Sequence, residues 1–191
     1  MARNIHWDYY ISLEQDLENL SRYIEFEKSN FSTHSLELTR LLLTIGSEVD
    51  VVAKELCCLF SSKTQCGSRI NQYKKILKDN IPDISSISVY SDRYMLRFTP
   101  WLNWQNIEAE NPSWWKAYND VKHYRGEHFK DANLQNVLEA MSALLIMNIY
   151  LNHYVTVRND PDFPHNLITS TDWLKPRSSL LKFDELFLYL G

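Results

Sequence analysis

The chain has 191 residues, which is enough for one domain with a buried core. Its 45% hydrophobic and 23% charged residues are ordinary for a globular protein. The net charge of −4 excludes a protein that coats nucleic acid by bulk positive charge, although it leaves a local basic patch open.

The cysteines and the apolar stretches predict where the protein works. Cys57, Cys58 and Cys66 are odd in number and two are adjacent, so we expect no disulfide framework and a reducing compartment. The first residues lack the apolar run of a secretory signal. The most apolar stretches, "LTRLLLTIG" and "ALLIMNIYL", are too short to span a bilayer, so no membrane partner is expected. The predicted location is cytoplasmic.

Two helices are predicted in the first third of the chain. Ser12, with Gln15 three residues later, forms a capping-box pattern at the start of an amphipathic helix. Thr33 or Ser35 can cap a second, longer helix, in which Gly46 would permit close contact with another helix. The apolar residues of this second helix keep helical spacing: Leu38, Leu42, Ile45, Val49, Val52, Leu56 and Leu59.

The period of the apolar residues changes in the middle of the chain. A shorter helix is predicted in "SRINQYKKILKD", residues 68–79. Between residues 87 and 98 the apolar positions alternate at every second residue, which predicts a small β-hairpin that turns at Ser91 and Asp92. The alternating residues are Ile87, Val89, Tyr94, Leu96 and Phe98.

Two more helices are predicted after residue 110. Asn111 and Pro112 suit the start of the first of them, and Gly126 is expected to close it near residue 125. Asp131 can cap the last long helix, "ANLQNVLEAMSALLIMNIYLNHY".

These patterns together predict a mostly all-α protein. We expect a bundle of four to five helices with a possible small β-hairpin excursion around residues 87–98. The whole chain, residues 1–191, is predicted to be one helical domain with its core in residues 12–154. Residues 155–191 are expected to dock on that core as an amphipathic or strand-like segment.

The segment "WWKAYNDVKHYR", residues 114–125, concentrates polar groups on one helix. Asn119 and His123 are one turn apart with Lys122 beside them, and Tyr118 and Arg125 lie along an adjoining line. An imidazole can transfer a proton near neutral pH, cations can neutralise a phosphate, and asparagine can orient a histidine or a sugar hydroxyl. Such a face suits the attack of an RNA 2′-hydroxyl on its own phosphodiester, which needs no metal.

This segment resembles the motif of the HEPN family (higher eukaryotes and prokaryotes nucleotide-binding). These all-α domains carry an arginine and, several residues later, a histidine on a late helix, often with an asparagine just after the arginine. Asn119 and His123 match the asparagine and the histidine, and the helix order over residues 12–154 is also similar. The resemblance implies RNA or nucleotide binding, metal-independent ribonuclease activity without a cofactor, and a role in phage defence or a toxin–antitoxin system. It also implies a homodimer and an antitoxin or other protein partner.

The sequence departs from the family motif directly before Asn119, where Tyr118 replaces the arginine. Arg125 can serve the phosphate from the far side of His123, and Lys116 is a second cationic substitute. In this interpretation the histidine is the general acid or base, the asparagine orients the site, and the cations stabilise phosphate charge. The predicted catalytic residues are therefore His123, Arg125 and Asn119, and the predicted substrate-binding residues are Lys122, Tyr118 and Lys116.

A structural interpretation of the same residues is also open. The polar face can join its helix to Glu48 and Asp50 of the second helix, or to a partner subunit, and so form a non-catalytic interaction or dimerisation module. A small-molecule enzyme with a pocket between helices has no motif in its favour. No metal site is expected, because His123 and His128 straddle Gly126 and lack the spacing of a helical zinc pair.

Overall fold

The computed structural model describes residues 3–61, 66–106, 108, 110–160, 162–163 and 166–184. Over these ranges the protein is mostly α-helical with one small sheet, which confirms the predicted fold class. A short sixth helix near the C-terminus adds to the four or five that were expected. The helices are α1 (Ile5–Leu20), α2 (Leu36–Phe60), α3 (Ile70–Asn80), α4 (Ser113–His128), α5 (Leu134–Asn159) and α6 (Leu167–Trp173), and the strands are β1 (Val89–Ser91), β2 (Leu96–Phe98) and β3 (Lys182–Phe183).

The first helix begins earlier than its capping-box pattern predicted. Asn4 caps α1, because its side-chain oxygen accepts a hydrogen bond from the backbone N–H of Trp7 at 3.1 Å. Trp7 and Tyr10 are both buried, so the apolar face of the helix extends back past Ser12, which lies exposed inside it. The prediction that Ser12 starts this helix was therefore wrong.

The caps of the two longest helices were predicted with mixed success. Ser35 caps α2 as expected, since its Oγ accepts from the N–H of Leu38 at 3.1 Å. The cap of α5 is Asn133, which accepts from the N–H of Asn136 at 3.0 Å. The predicted cap, Asp131, lies instead in a single 3-10 turn between α4 and α5.

Helix α5 forms the centre of the core. All ten residues from Met141 to Tyr150 are buried, and α2 packs along the helix. Ser142 and Asn148 donate hydrogen bonds of 2.8 and 3.0 Å to carbonyl oxygens one turn earlier, so their polar groups are satisfied in the core. Among the described residues α5 alone is long and apolar enough to cross a bilayer, but 83% of its most apolar stretch is buried inside the fold. The helix is therefore explained as a core helix.

The predicted β-hairpin is present at the expected place. β1 and β2 pair in antiparallel fashion with Val89 opposite Phe98. The turn occupies residues 92–95, one residue later than the sequence indicated, and Met95 in it has a positive φ of 50°. β3 from the C-terminal part of the chain pairs with the other edge of β1, with Phe183 also opposite Val89.

A buried carboxylate on α1 holds the chain just before β3. Glu14 is only 2% exposed, and it accepts hydrogen bonds from the backbone N–H groups of Ser179 at 3.0 Å, Leu180 at 3.2 Å and Leu181 at 3.4 Å. Burial of a charged group is tolerated only when such partners replace water. Hydroxyl groups complete the set of donors: Tyr10, Ser178 and Ser179.

The cysteines differ from the expectation of free thiols. Cys58, near the end of α2, forms a disulfide with Cys66. The adjacent Cys57 stays free and buried, and its burial raises the pKa of the thiol to about 12. Neighbouring helix residues point about 100° apart, so the "CC" pair sends one side chain into the core and the other towards the chain that follows α2.

Helix α4 crosses α2 at Gly46. This confirms the prediction that Gly46 permits close contact with another helix. A Cβ atom at position 46 would lie 2.4 Å from Cδ2 and 2.5 Å from Cγ of Tyr118. Such distances are far below ordinary contact, so only glycine permits this approach. Cγ is close to the backbone of its own residue, and the ring cannot swing away without moving α4.

The Gly46→Ala variant is expected to lose up to about 2 kcal/mol of unfolding free energy, measured by urea denaturation. Overpacking against the Tyr118 ring outweighs the gain of about 1 kcal/mol in helix propensity. The matched control is Gly126→Ala inside α4, where an added Cβ meets no atom within 4 Å, and this variant should keep or gain stability. Equal stability of the two variants would contradict the close crossing of α2 and α4.

The Glu14→Ala variant is expected to loosen residues 178–183 by leaving three backbone N–H groups without their acceptor. Each unsatisfied donor costs about 1–3 kcal/mol, so hydrogen exchange at the Ser179, Leu180 and Leu181 amides should accelerate by at least about tenfold. Glu18→Ala is the control, because the Glu18 carboxylate accepts a hydrogen bond from the exposed Ser179 hydroxyl and from no backbone N–H among the described residues. Unchanged exchange in Glu14→Ala would show that another contact holds this segment.

Candidate functional site

Tryptophan packing fixes the start of α4. Trp101, Trp104 and Trp114 are fully buried, with the centroid of the Trp101 ring 4.2 Å from that of Trp104 and 5.1 Å from that of Trp114. The indole N–H of Trp114 donates to the carbonyl oxygen of Pro100 at 2.9 Å. The first half of α4 is thereby anchored in the core, whereas residues 122–127 in its second half are all exposed.

Tyr118, predicted as a substrate contact, belongs mainly to the core. Its side chain is 4% exposed and its ring packs on Gly46. The Lys122 ammonium group donates to the Tyr118 hydroxyl at 3.3 Å and lies 5.3 Å from the ring centroid. Tyr118 is thus a helix-packing residue that also contacts Lys122.

Asn119 is half-buried and hydrogen-bonds its own helix. Its side-chain amide donates to the Trp115 carbonyl oxygen at 2.8 Å. Residues 119–123 precede the break in α4, so Asn119 and His123 remain one turn apart on the same face, as the sequence indicated.

The cationic residues and the histidine of the predicted site lie at the surface. Lys116, Lys122, His123 and Arg125 are all exposed. None of them takes part in the ion pairs formed among the described residues. Tyr124, between His123 and Arg125, has φ −135° and ψ 45°, which interrupts the helix. We call residues 122–125 the cationic end of α4.

The acidic residues expected to pair with this helix have other neighbours. Glu48 Oε1 lies 2.7 Å from Nδ1 of His6, whose Nε2 lies 3.2 Å from Glu55 Oε2. Burial, and after it the nearby Asp50 carboxylate, raises the pKa of Tyr73. Among the described residues neither carboxylate pairs with His123, and Glu48 pairs with His6 because α1 starts early enough to bring His6 onto α2.

Beyond the helix break, His128 is paired with two aspartates. Its Nδ1 lies 2.7 Å from Oδ2 of Asp131 and 3.9 Å from Oδ2 of Asp120. The hydrogen bond with Asp131, followed by the charge of Asp120, raises the pKa of His128 above its ordinary value. We call these three residues the Asp–His–Asp cluster.

Sequence reasoning missed this cluster. Gly126 was expected to end the helix, but α4 continues through it to His128 after the non-helical Tyr124. The pattern of Asp120, His128 and Asp131 was visible in the sequence, although nothing in its spacing indicated a common location. In an unbroken helix Asp120 and His128 would be about 12 Å apart along the axis.

Comparisons of the chain with protein-family models, with curated proteins and with solved structures give no match. The function must therefore be argued from the geometry of the site.

The pKa of His128 is expected to lie above the ordinary histidine value, as measured by NMR titration in EDTA, and Asp131→Asn should lower it. A pKa raised by folding means that the contact stabilises the protein below the ordinary histidine pKa of about 6.5 and loses this effect as the pH rises through the raised pKa. The stability difference between wild type and Asp131→Asn should therefore be largest at acidic pH. Identical titration of His128 in both proteins would contradict the contact.

Proposed function

We propose that the cationic end of α4 binds phosphate groups in a HEPN-like RNA- or nucleotide-binding protein, and that the protein cleaves RNA without a metal ion. The observation that supports this most is the exposure of Lys122, His123 and Arg125 close together on α4, with no carboxylate ion-paired to them in the described part of the chain. The chain has a net charge of −4, so the cationic end of α4 forms a local region of positive charge that attracts a polyanion.

The chemistry of the proposed reaction uses one proton acceptor and two cations. His123 removes the proton from a 2′-hydroxyl, and the 2′-oxygen attacks the adjacent phosphorus. The bond from phosphorus to the 5′-oxygen breaks, the leaving oxygen takes up a proton, and the products are a 2′,3′-cyclic phosphate and a 5′-hydroxyl. Arg125 and Lys122 stabilise the charge that develops on the phosphoryl oxygens, Lys116 extends the contact, and Asn119 supports the face that presents His123.

A homodimer fits this proposal. The cationic end of α4 is open to water on one chain, and phosphoryl chemistry benefits from a site that excludes water. A second copy that faces the first would cover the site and supply a second histidine to protonate the leaving oxygen. An antitoxin or other protein partner would bind the same surface in a toxin–antitoxin or defence system, as the family resemblance implies.

The His123→Ala variant is expected to lose about 10²–10⁴-fold in the rate of cleavage of a labelled mixed-sequence RNA in EDTA, because general acid–base catalysis contributes on this order. Its thermal stability should not change, since the His123 side chain is exposed. Arg125→Ala should weaken RNA binding. It should also reduce the slope of log binding constant against log salt concentration by the contribution of about one phosphate contact.

The charge-matched control for Arg125→Ala is Arg22→Ala, which removes an exposed arginine near the end of α1 and should leave cleavage unchanged. If the wild-type protein neither binds nor cuts RNA, the ribonuclease proposal fails. If Arg22→Ala and Arg125→Ala weaken RNA binding and cleavage equally, the effect is due to the change in net charge. That result would also reject the proposed site.

A non-catalytic interaction module is the second candidate function. Two motif residues favour it, because the Tyr118 ring packs on Gly46 and the Asn119 amide binds the Trp115 carbonyl. In this case the cationic end of α4 would join two subunits. Light scattering then distinguishes the candidates: His123→Ala and Arg125→Ala would turn a dimer into a monomer while no RNA is cut by either form.

The RNA-directed function places the protein in the cytoplasm. There the Cys58–Cys66 disulfide would meet a reducing environment, in which cysteine pairs are usually kept as thiols. The odd number of cysteines was taken above to indicate a reducing compartment, and the disulfide contradicts that reasoning. The proposed cytoplasmic location therefore depends only on the proposed RNA substrate.

A further inference from the structure

The Asp–His–Asp cluster brings three metal-ligating side chains together at the junction of α4 and α5. One ligand atom each from Asp120, His128 and Asp131 can be chosen so that all three lie within 4.8 Å of one another. The three side chains are partly exposed, with 26%, 35% and 47% of their surfaces accessible, so an ion from solvent can reach them.

The break in α4 at Tyr124 brings the residues of the cluster together, and a hydrogen bond from α5 holds the backbone at Asp131. The non-helical Tyr124 lets the last turn of α4 fold back, which brings His128 Nδ1 to 3.9 Å from Asp120 Oδ2. The backbone carbonyl of Asp131 accepts a hydrogen bond of 2.8 Å from the side-chain amide of Asn136 on α5. The ligands thus come from positions that are fixed before any ion binds, which lowers the cost of binding.

The charge of the cluster favours a cation. Two carboxylates face one imidazole, whose Nδ1 proton can hydrogen-bond only Asp131, since 3.9 Å to Asp120 is too long. In the part of the chain that the structure describes, His128 is the ion-pair partner of both aspartates, and no lysine or arginine pairs with either. A divalent ion would neutralise the two carboxylates more completely than one proton.

We propose that Asp120, His128 and Asp131 form a binding site for a divalent transition-metal ion, with Zn²⁺ as the best fit. Tetrahedral zinc with bonds of about 2.0–2.1 Å places its ligand atoms about 3.3 Å apart. The observed separations of 2.7 and 3.9 Å from Nδ1 lie on either side of this value, so small side-chain rotations suffice. An imidazole beside two carboxylates favours Zn²⁺ over Mg²⁺ or Ca²⁺, which prefer oxygen ligands alone.

This site is independent of the proposed ribonuclease. It uses none of the residues at the cationic end of α4, and the ion does not enter the cleavage reaction. Three protein ligands leave one zinc position open to water. The metal site can therefore exist whether or not the protein acts on RNA, and it can be tested in the absence of RNA.

The test is calorimetric titration of the EDTA-stripped full-length protein with zinc chloride, together with the visible absorption of the Co²⁺ form. We expect one Zn²⁺ per chain and a tetrahedral cobalt spectrum. The variants Asp120→Asn, His128→Gln and Asp131→Asn should each lose at least about tenfold in affinity. Helicity measured by circular dichroism should remain, because all three side chains are at the surface.

The matched control is His123→Gln, which removes an exposed histidine from the same helix and should leave zinc affinity unchanged. The proposal is overturned if the wild type binds no zinc, or if zinc binding persists in all three cluster variants, as it would at the His6–Glu48–Glu55 contact. Binding of Mg²⁺ with an affinity equal to that of Zn²⁺ would overturn the assignment to a transition metal.

Discussion

The burial of α5 on all sides is the constraint on which the rest of the fold depends. Ten consecutive buried residues cannot be covered by one neighbouring helix, so α1, α2, α4 and α6 must surround them. The hairpin and β3 close the remaining side through contacts such as that of Phe183 with Tyr150, whose ring centroids are 6.3 Å apart. The Glu14 carboxylate is essential to this closure, because it fixes the chain that leads into β3.

The second constraint is the crossing of α2 and α4 at Gly46, and it explains why residue 118 is a tyrosine. The Tyr118 ring fills the crossing, whereas an arginine there would place a charge against the backbone of α2. Cationic charge lies instead at Lys122, Arg125 and Lys116, all of them beyond the buried face of α4.

The sequence was sufficient to predict the elements whose apolar residues recur at a regular period. It was insufficient to predict contacts between residues far apart in the chain and the break inside α4. Helical spacing located α2, α4 and α5, and alternation located the hairpin, because burial of one face leaves a direct pattern in residue type. The start of α1 was misplaced because the capping-box pattern was taken to mark it at Ser12, although Trp7 and Tyr10 continue the helical spacing of Leu13 and Leu17. The pairing of His6 with Glu48 and the meeting of His128 with Asp120 involve a tertiary contact and a helix break, and neither has a local signature.

The break at Tyr124 places groups of opposite charge next to each other on one helix. Lys122 and His123 precede the break, Arg125 follows it, and the Asp–His–Asp cluster takes one ligand from before it and two from after it. Any ion held by the cluster therefore joins the two halves of α4 and restricts rotation about the dihedral angles of Tyr124. The distance between His123 and Arg125 depends on the same dihedral angles. The two proposed sites therefore lie on either side of one backbone break, at Tyr124, and share no side chain.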